Sequence, residues 1–274
     1  DEKDKLYDFL KKQGFSFKNI DYAFFRATKG NLNIIFYRSG KLLIQGREKD
    51  VDLLYNSIEG IFLKKDTLNS WMGTDEAGKG DYFGPLVVAG VIIKREDEGR
   101  LLKIGVKDSK RLKSNRIKEL ANYIKSNFLH DIIVLEPNRY NILYDKEKNL
   151  NLLLSELHIK IIERLRRKTS IEKIVVDKFS KNSSIVETFR DKVEIEEIVG
   201  GERDLACASA SILARSAFIE YMEEMSKIYD FKFPKGSGKP VKEAVRLFLE
   251  KYPASKLKNV AKLHFKITRE VLDG

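Results

Sequence analysis

A chain of 274 residues, 42% hydrophobic and 34% charged with only 5 prolines, has the composition of a water-soluble globular protein and excludes a largely disordered one. Its 52 basic residues against 41 acidic ones leave a net charge of +11, which favours a polyanionic partner such as nucleic acid over a neutral one. The single cysteine, Cys207, excludes an intramolecular disulfide and any multi-cysteine zinc site, and no apolar run approaches the ~18 residues of a membrane span, so a cytoplasmic protein is expected.

Residues 1–65 predict a small α+β domain. A short helix from Lys3 to Gln13 precedes strands around Tyr22–Thr28, Leu32–Tyr37 and Lys41–Gln45, and a helix from Val51 to Ile61 follows. Lys29-Gly30-Asn31 and Ser39-Gly40 are turn signals between runs of β-branched and aromatic residues, so the strands read as a three-stranded meander. Side chains alternate across a strand, so Tyr22, Phe24, Phe25 and Arg26 divide between core and surface. The polar stretch Lys64-Lys65-Asp66-Thr67 is the expected joint to a second domain over residues 66–274, and both parts are basic.

The second domain opens with a strand ending near Asp75, a glycine-rich turn, and a strong apolar strand from Pro85 to Ile93; so short a turn makes the two an antiparallel hairpin. There follow a helix from about Asn115 to Phe128 capped by Ser114, a strand over Asp131–Leu135, a helix over Leu150–Lys168, a strand over Lys173–Asp177, a long helix over Leu205–Ile228, and a last helix near Val241–Tyr252. Strands alternating with helices predict an α/β domain, a mixed sheet flanked by helices. His158 lies on the apolar helix Leu150–Lys168 and reads as a hydrogen-bonded core histidine; the basic run from Arg164 to Lys168 reads as a solvated helix end.

The stretch most suggestive of chemistry is Asp75-Glu76-Ala77-Gly78-Lys79-Gly80, two acids at a strand end before a turn whose backbone amides can approach a phosphate. It lacks the Gly-Lys-Ser/Thr ending of a P-loop, and its glycines lead into an antiparallel strand instead of the helix of a dinucleotide-binding unit, so an organic nucleotide cofactor is not expected. Carboxylates are the donors that hard, octahedral Mg²⁺ or Mn²⁺ prefers, and several gathered around a phosphate can hold two ions about 3.5–4 Å apart. Asp177 emerges at the end of Ile174-Val175-Val176, while Glu202 and Asp204 precede the small-residue helix that begins at Leu205. Each has a structural alternative: Asp177 as a strand end, Glu202 or Asp204 as a helix cap. Adjacent strand residues point to opposite faces, so Asp75 is expected as the central ligand and Glu76 as the flanking one.

Asp75-Glu76-Ala77-Gly78-Lys79-Gly80 with Tyr82-Phe83-Gly84-Pro85, then Asp108-Ser109-Lys110, Val176-Asp177, Ala210-Ser211-Ile212-Leu213-Ala214-Arg215 and Lys262-Leu263-His264-Phe265 resemble, in that order, the type 2 ribonucleases H. The resemblance covers residues 70 to 270 and implies an RNase H-like fold that holds two Mg²⁺ or Mn²⁺ ions on Asp75, Glu76, Asp177 and one acid before the Ala-Ser-Ile helix. Spacing allows Glu202 or Asp204 for that place, and Glu202 is chosen. It further implies a phosphate-gripping turn at Gly78, Lys79 and Gly80, a substrate-side motif at Ser109 and Lys110, and cleavage of the RNA strand of RNA/DNA hybrids to 5′-phosphate and 3′-hydroxyl ends; apart from the resemblance, a monomer is expected.

Within that family the chain resembles the HIII group. Ser237 stands where the HII enzymes resemble Lys-Gly-Tyr, whose tyrosine helps recognise a lone ribonucleotide in DNA. The added first domain looks like a TATA-box-binding-protein-like module for holding hybrid. The alternatives are HII-like incision at single ribonucleotides and a non-catalytic hybrid- or DNA-binding protein; carboxylates beside phosphate weaken binding unless a metal intervenes, which disfavours the binder.

Overall fold

The computed structural model describes residues 2–62, 69–106, 112–180 and 184–272; the side chains of residues 2, 56, 59–62 and 202 also lie outside the description. The chain divides into two compact units, Asp1–Thr67 and Leu68–Gly274.

In the first unit helix α1 (Glu2–Lys12) leads into strands β1 (Ser16–Lys18), β2 (Ala23–Lys29), β3 (Leu32–Tyr37) and β4 (Leu42–Gln45), and α2 (Glu48–Phe62) follows. The sheet has four antiparallel strands in sequence order, one more than the meander expected. The extra strand, Ser16-Phe17-Lys18, is too short to show a period of its own and pairs with Arg26–Thr28. Its helix-side face buries Phe25, Ala27 and Ile34 against Leu6, Leu10, Leu54 and Ile58. Alternation along β2 sorts the aromatics: Phe25 is 3% exposed, Phe24 41%, and Tyr22, just ahead of the strand, 86%.

The second unit is built on a five-stranded mixed sheet in the order β7-β6-β5-β8-β9. Strand β5 (Ser70–Ala77) runs through Asp75 and Glu76 before it ends, and pairs antiparallel with β6 (Leu86–Lys94) along its whole length. Strand β7 (Leu129–Leu135) closes one edge; β8 (Lys173–Asp177) lies parallel to β5 on the other side, followed by β9 (Glu194–Ile198). Both faces of β6 are buried, which is why its sequence is continuously apolar instead of alternating.

One face packs against α8 (Leu205–Ile228) and α4 (Ser114–Asn127), with α3 (Glu98–Ile104), α9 (Lys239–Lys251) and the short helices α10 (Leu257–Val260) and α11 (Lys266–Leu272) around them. The other packs against α6 (Leu150–Arg166), α5 (Pro137–Glu147) and α7 (Ile185–Phe189). Ser114 does not cap α4: it is the first helical residue, the N-cap is Lys113, and no side chain makes a capping bond there. Asn149 does cap α6, its side-chain oxygen accepting from the amides of Asn151 and Leu152. Among the described residues no helix is long and apolar enough to cross a membrane.

At Gly73 the backbone of α8 lies directly against β5. A Cβ placed there would lie 2.0 Å from the Cys207 amide nitrogen and 2.1 Å from the Ala206 carbonyl carbon, backbone atoms that cannot rotate away. Gly73→Ala should therefore lift α8 off β5, costing ~3 kcal/mol and lowering the melting temperature by ~6–12 °C. A calorimetric scan checks this, and an unchanged midpoint would mean that the helix does not rest on the strand as described.

Candidate functional site

Parallel pairing of β5 with β8 ends at Thr74↔Val176, so the next residue of each strand, Asp75 and Asp177, stands at the carboxyl end of a central pair. In an open α/β sheet this is where ligands are received. Asp75 faces α8, where it is hydrogen-bonded to Ser211, and its Oδ1 also accepts from the Glu76 amide at 2.7 Å. Asp177 Oδ1 accepts from the Gly201 amide at 2.7 Å. Residue 201 has to be glycine for this contact, since a Cβ would sit 2.7 Å from the Asp177 Cβ. The backbone carrying Glu202 thus passes directly beside Asp177, while the Glu202 side chain lies outside the described residues, as do Ser109 and Lys110.

Asp204, the rival for the fourth acid, is the N-cap of α8. Its Oδ1 accepts from the Cys207 amide at 2.9 Å and its Oδ2 from the Trp71 indole N–H at 2.9 Å, so both oxygens have structural partners. Burial raises its pKa above the ordinary value despite these bonds.

Glu76 points the other way, as strand alternation requires. Its Oε1 lies 3.8 Å from Lys79 Nζ, and its Oε2 lies 3.5 Å from His158 Nε2 on α6. Lys79 donates to the Phe179 carbonyl at 3.0 Å and sits over that ring at 5.2 Å, tying the glycine turn to the segment after Asp177. Gly78 turns the chain at φ +86°, and its amide lies where the Pro85 carbonyl and the Phe218 ring leave no room for a Cβ; Gly80 is open to solvent.

The turn is braced from behind by residues to which sequence reasoning gave no role. Buried Lys262 donates to the carbonyls of Gly84 at 2.7 Å and Pro85 at 3.3 Å, and burial pushes its ammonium down to about 7. Asp81 accepts from the Gly236 amide at 2.6 Å. A cleft of about 410 Å³ opens beside Glu76, Gly78 and Asp81, with Lys113, Arg215 and Lys235 supplying cations at its walls. Arg215 is four residues beyond Ser211, on the same face of α8, a spacing that could have marked it in the sequence.

The charges are arranged against the metal-free state. Asp75 is pushed from its ordinary 3.8 up to about 7 by burial first, then by the charges of Glu76 and Asp177, which the bonds from Ser211 and the Glu76 amide offset only in part. Crowded carboxylates and a Glu76 oxygen without a partner fit a site for divalent cations with oxygen donors. Among the described residues no three such side chains yet enclose a single point, because Asp75 and Glu76 leave opposite faces of β5.

The ribonuclease HII family profile matches residues 72–268. Ribonuclease HIII of Protochlamydia amoebophila (strain UWE25) is 37% identical over 280 residues, covering 98% of this chain and 93% of the relative. Ribonuclease HIII of Aquifex aeolicus (strain VF5) is 31% identical over 89% of this chain and 91% of its own length. Among solved structures, Bst-RNase HIII in complex with Mn²⁺ superposes with a TM-score of 0.73 at 28% identity, covering 98% of this chain and 96% of that one.

A carboxyl whose folded pKa is raised contributes stability that is fully present below its unfolded value near 3.8 and is lost as pH climbs toward about 7. Metal-free protein should therefore weaken between pH 4 and pH 7, by up to ~1.4 kcal/mol per unit, and Asp75→Asn should remove much of that loss. Denaturant midpoints in chelator at pH 5 and pH 8 test it: the variant should gain on the wild type at the higher pH, and a constant difference would contradict the raised pKa.

Proposed function

Because the chain belongs to the ribonuclease HII family and is a divalent-metal-dependent ribonuclease H, we propose that it hydrolyses the RNA strand of RNA/DNA hybrids with two Mg²⁺ or Mn²⁺ ions, as its HIII-type relatives suggest. The observation that carries this reading is the pair Asp75 and Asp177 at the carboxyl ends of adjacent parallel strands, with the Asp75 carboxyl pushed up to about 7 by burial first and then by its acidic neighbours.

Asp75, Glu76, Asp177 and Glu202 are the residues that would hold the ions. Such ions, when bound, polarise the scissile phosphate, activate water and stabilise the departing 3′ oxygen, which leaves 5′-phosphate and 3′-hydroxyl ends. The chain's own work is positioning. Ser211 and the Glu76 amide orient Asp75, and the Gly201 amide orients Asp177. The turn at Gly78, Lys79 and Gly80 and the cleft cations Lys113, Arg215 and Lys235 are assigned to the phosphate backbone, and Ser109 and Lys110 are assigned to substrate binding with them. Discrimination against duplex DNA comes from the RNA 2′-hydroxyl and the minor-groove shape. The first unit, with exposed Tyr22 and Phe24, is assigned to holding hybrid in the manner of a TATA-box-binding-protein-like module. The protein acts as a cytoplasmic monomer and uses no organic cofactor.

Asp75→Asn should lower cleavage of a uniform hybrid by more than ~100-fold with hybrid binding retained; full activity would remove the metal-centre reading. Glu202→Gln should do the same at unchanged stability, whereas Asp204→Ala should cost ~1 kcal/mol and keep most activity. The reverse pattern would make Asp204 the ligand. Assays on a uniform hybrid and on duplex DNA with one ribonucleotide distinguish HIII-type from HII-type cleavage.

Replacing Tyr22 and Phe24 together by alanine should raise KM ~5-fold or more with kcat unchanged, and an unaltered KM would take the first unit out of substrate binding.

A further inference from the structure

Glu76 Oε2 and His158 Nε2 are both buried without a hydrogen-bond partner, and they face each other at 3.5 Å. The imidazole around Nε2 is otherwise fixed. His158 is fully buried in the core between α6 and the sheet, its ring stacks on Phe179 at 5.1 Å and 20°, and its Nδ1 lies 2.9 Å from the Thr74 hydroxyl oxygen.

For a neutral ring beside an ionised Glu76, only one placement of the ring hydrogen satisfies every group. If Nδ1–H donated to Thr74, the bare lone pair of Nε2 would face a carboxylate oxygen, and both atoms would stay buried and unpaired. If the Thr74 hydroxyl donates to Nδ1, the hydrogen sits on Nε2 and points at Glu76, and a small rotation of that carboxylate closes the bond.

We propose that His158, set in its Nε2–H tautomer by Thr74, is the positioning residue of Glu76: it grips Oε2 and so presents Oε1 to the metal site. This rests on the reading of Glu76 as a ligand given above. Thr74 and Glu76 are two apart on β5 and therefore share a face, so one helix residue can touch both. The arrangement fixes from the α6 side an acid that strand alternation turns away from Asp75, and an oriented carboxylate loses less freedom when it binds a cation.

Two measurements on the full chain test this. Long-range ¹H–¹⁵N spectra of metal-free protein should show His158 as the Nε2–H tautomer, with that preference lost in Thr74→Val; an Nδ1–H tautomer in the wild type overturns the proposal. Mn²⁺ binding followed by electron paramagnetic resonance should weaken ~10-fold or more in His158→Leu and recover in His158→Gln, which keeps a donor. A purely structural histidine would instead lower the melting temperature and leave Mn²⁺ affinity alone, which refutes the positioning role. Wild type that binds no Mn²⁺ would refute the metal reading itself, and the tautomer would still decide whether Thr74 and His158 act on Glu76.

Discussion

The site depends on one close contact, the backbone of α8 lying against Gly73 in the middle of β5. Because the helix has no side chain to clear there, Ser211 reaches Asp75 and the helix N-terminus stays close enough for Asp204 to cap it while also accepting from Trp71 on the strand. Small residues along Leu205–Ala210 serve the same end, since any longer side chain would hold the two elements apart. The loop before the helix is then pinned by the Gly201 amide on Asp177, so the two central strands and the acid-bearing loop meet at one end of the sheet.

What meets there is electrostatically unfavourable without a cation. Burial and two neighbouring carboxylates hold Asp75 near 7, and hydrogen bonds from neutral donors only partly offset them. A divalent ion held there, as proposed, would reverse the sign of the interaction, and a fold stable enough to tolerate the cost keeps the acids in place. Two nearby cations are engaged away from Asp75: Lys79 is tied to Phe179 and pairs with Glu76 at 3.8 Å, and Lys262 donates to the carbonyls of Gly84 and Pro85. Neither cation replaces the missing positive charge at Asp75.

Much of this was legible in the sequence where a local rule was strong. The β-branched run ending at Asp177 and the helix over Leu205–Ile228 were readable because apolar pattern and cap agree. Strand β9 escaped because it mixes two isoleucines with three acids in Glu194–Ile198, two of which, Glu194 and Glu196, pair with the neighbouring Lys173. Helix α5 carried its signal in Pro137 at the first turn. Asn141, whose side chain bonds the carbonyls of Lys258 and Ala261, could not be found by pattern, and the motif containing Lys262 did not reveal its role, because the partners of both lie more than a hundred residues away.

His158 shows where a reasonable sequence rule stops. A histidine on an apolar helix face is a core residue, and this one is, but only one of its nitrogens is satisfied by the core. The other meets the strand at Glu76, and the meeting follows from period-two geometry: a strand that ends in adjacent acids must send one toward each layer of helices. Asp75 finds its supporting donor on α8 in Ser211. Glu76 is sent toward α6, and a donor on that helix is what the geometry of two adjacent acids on one strand calls for.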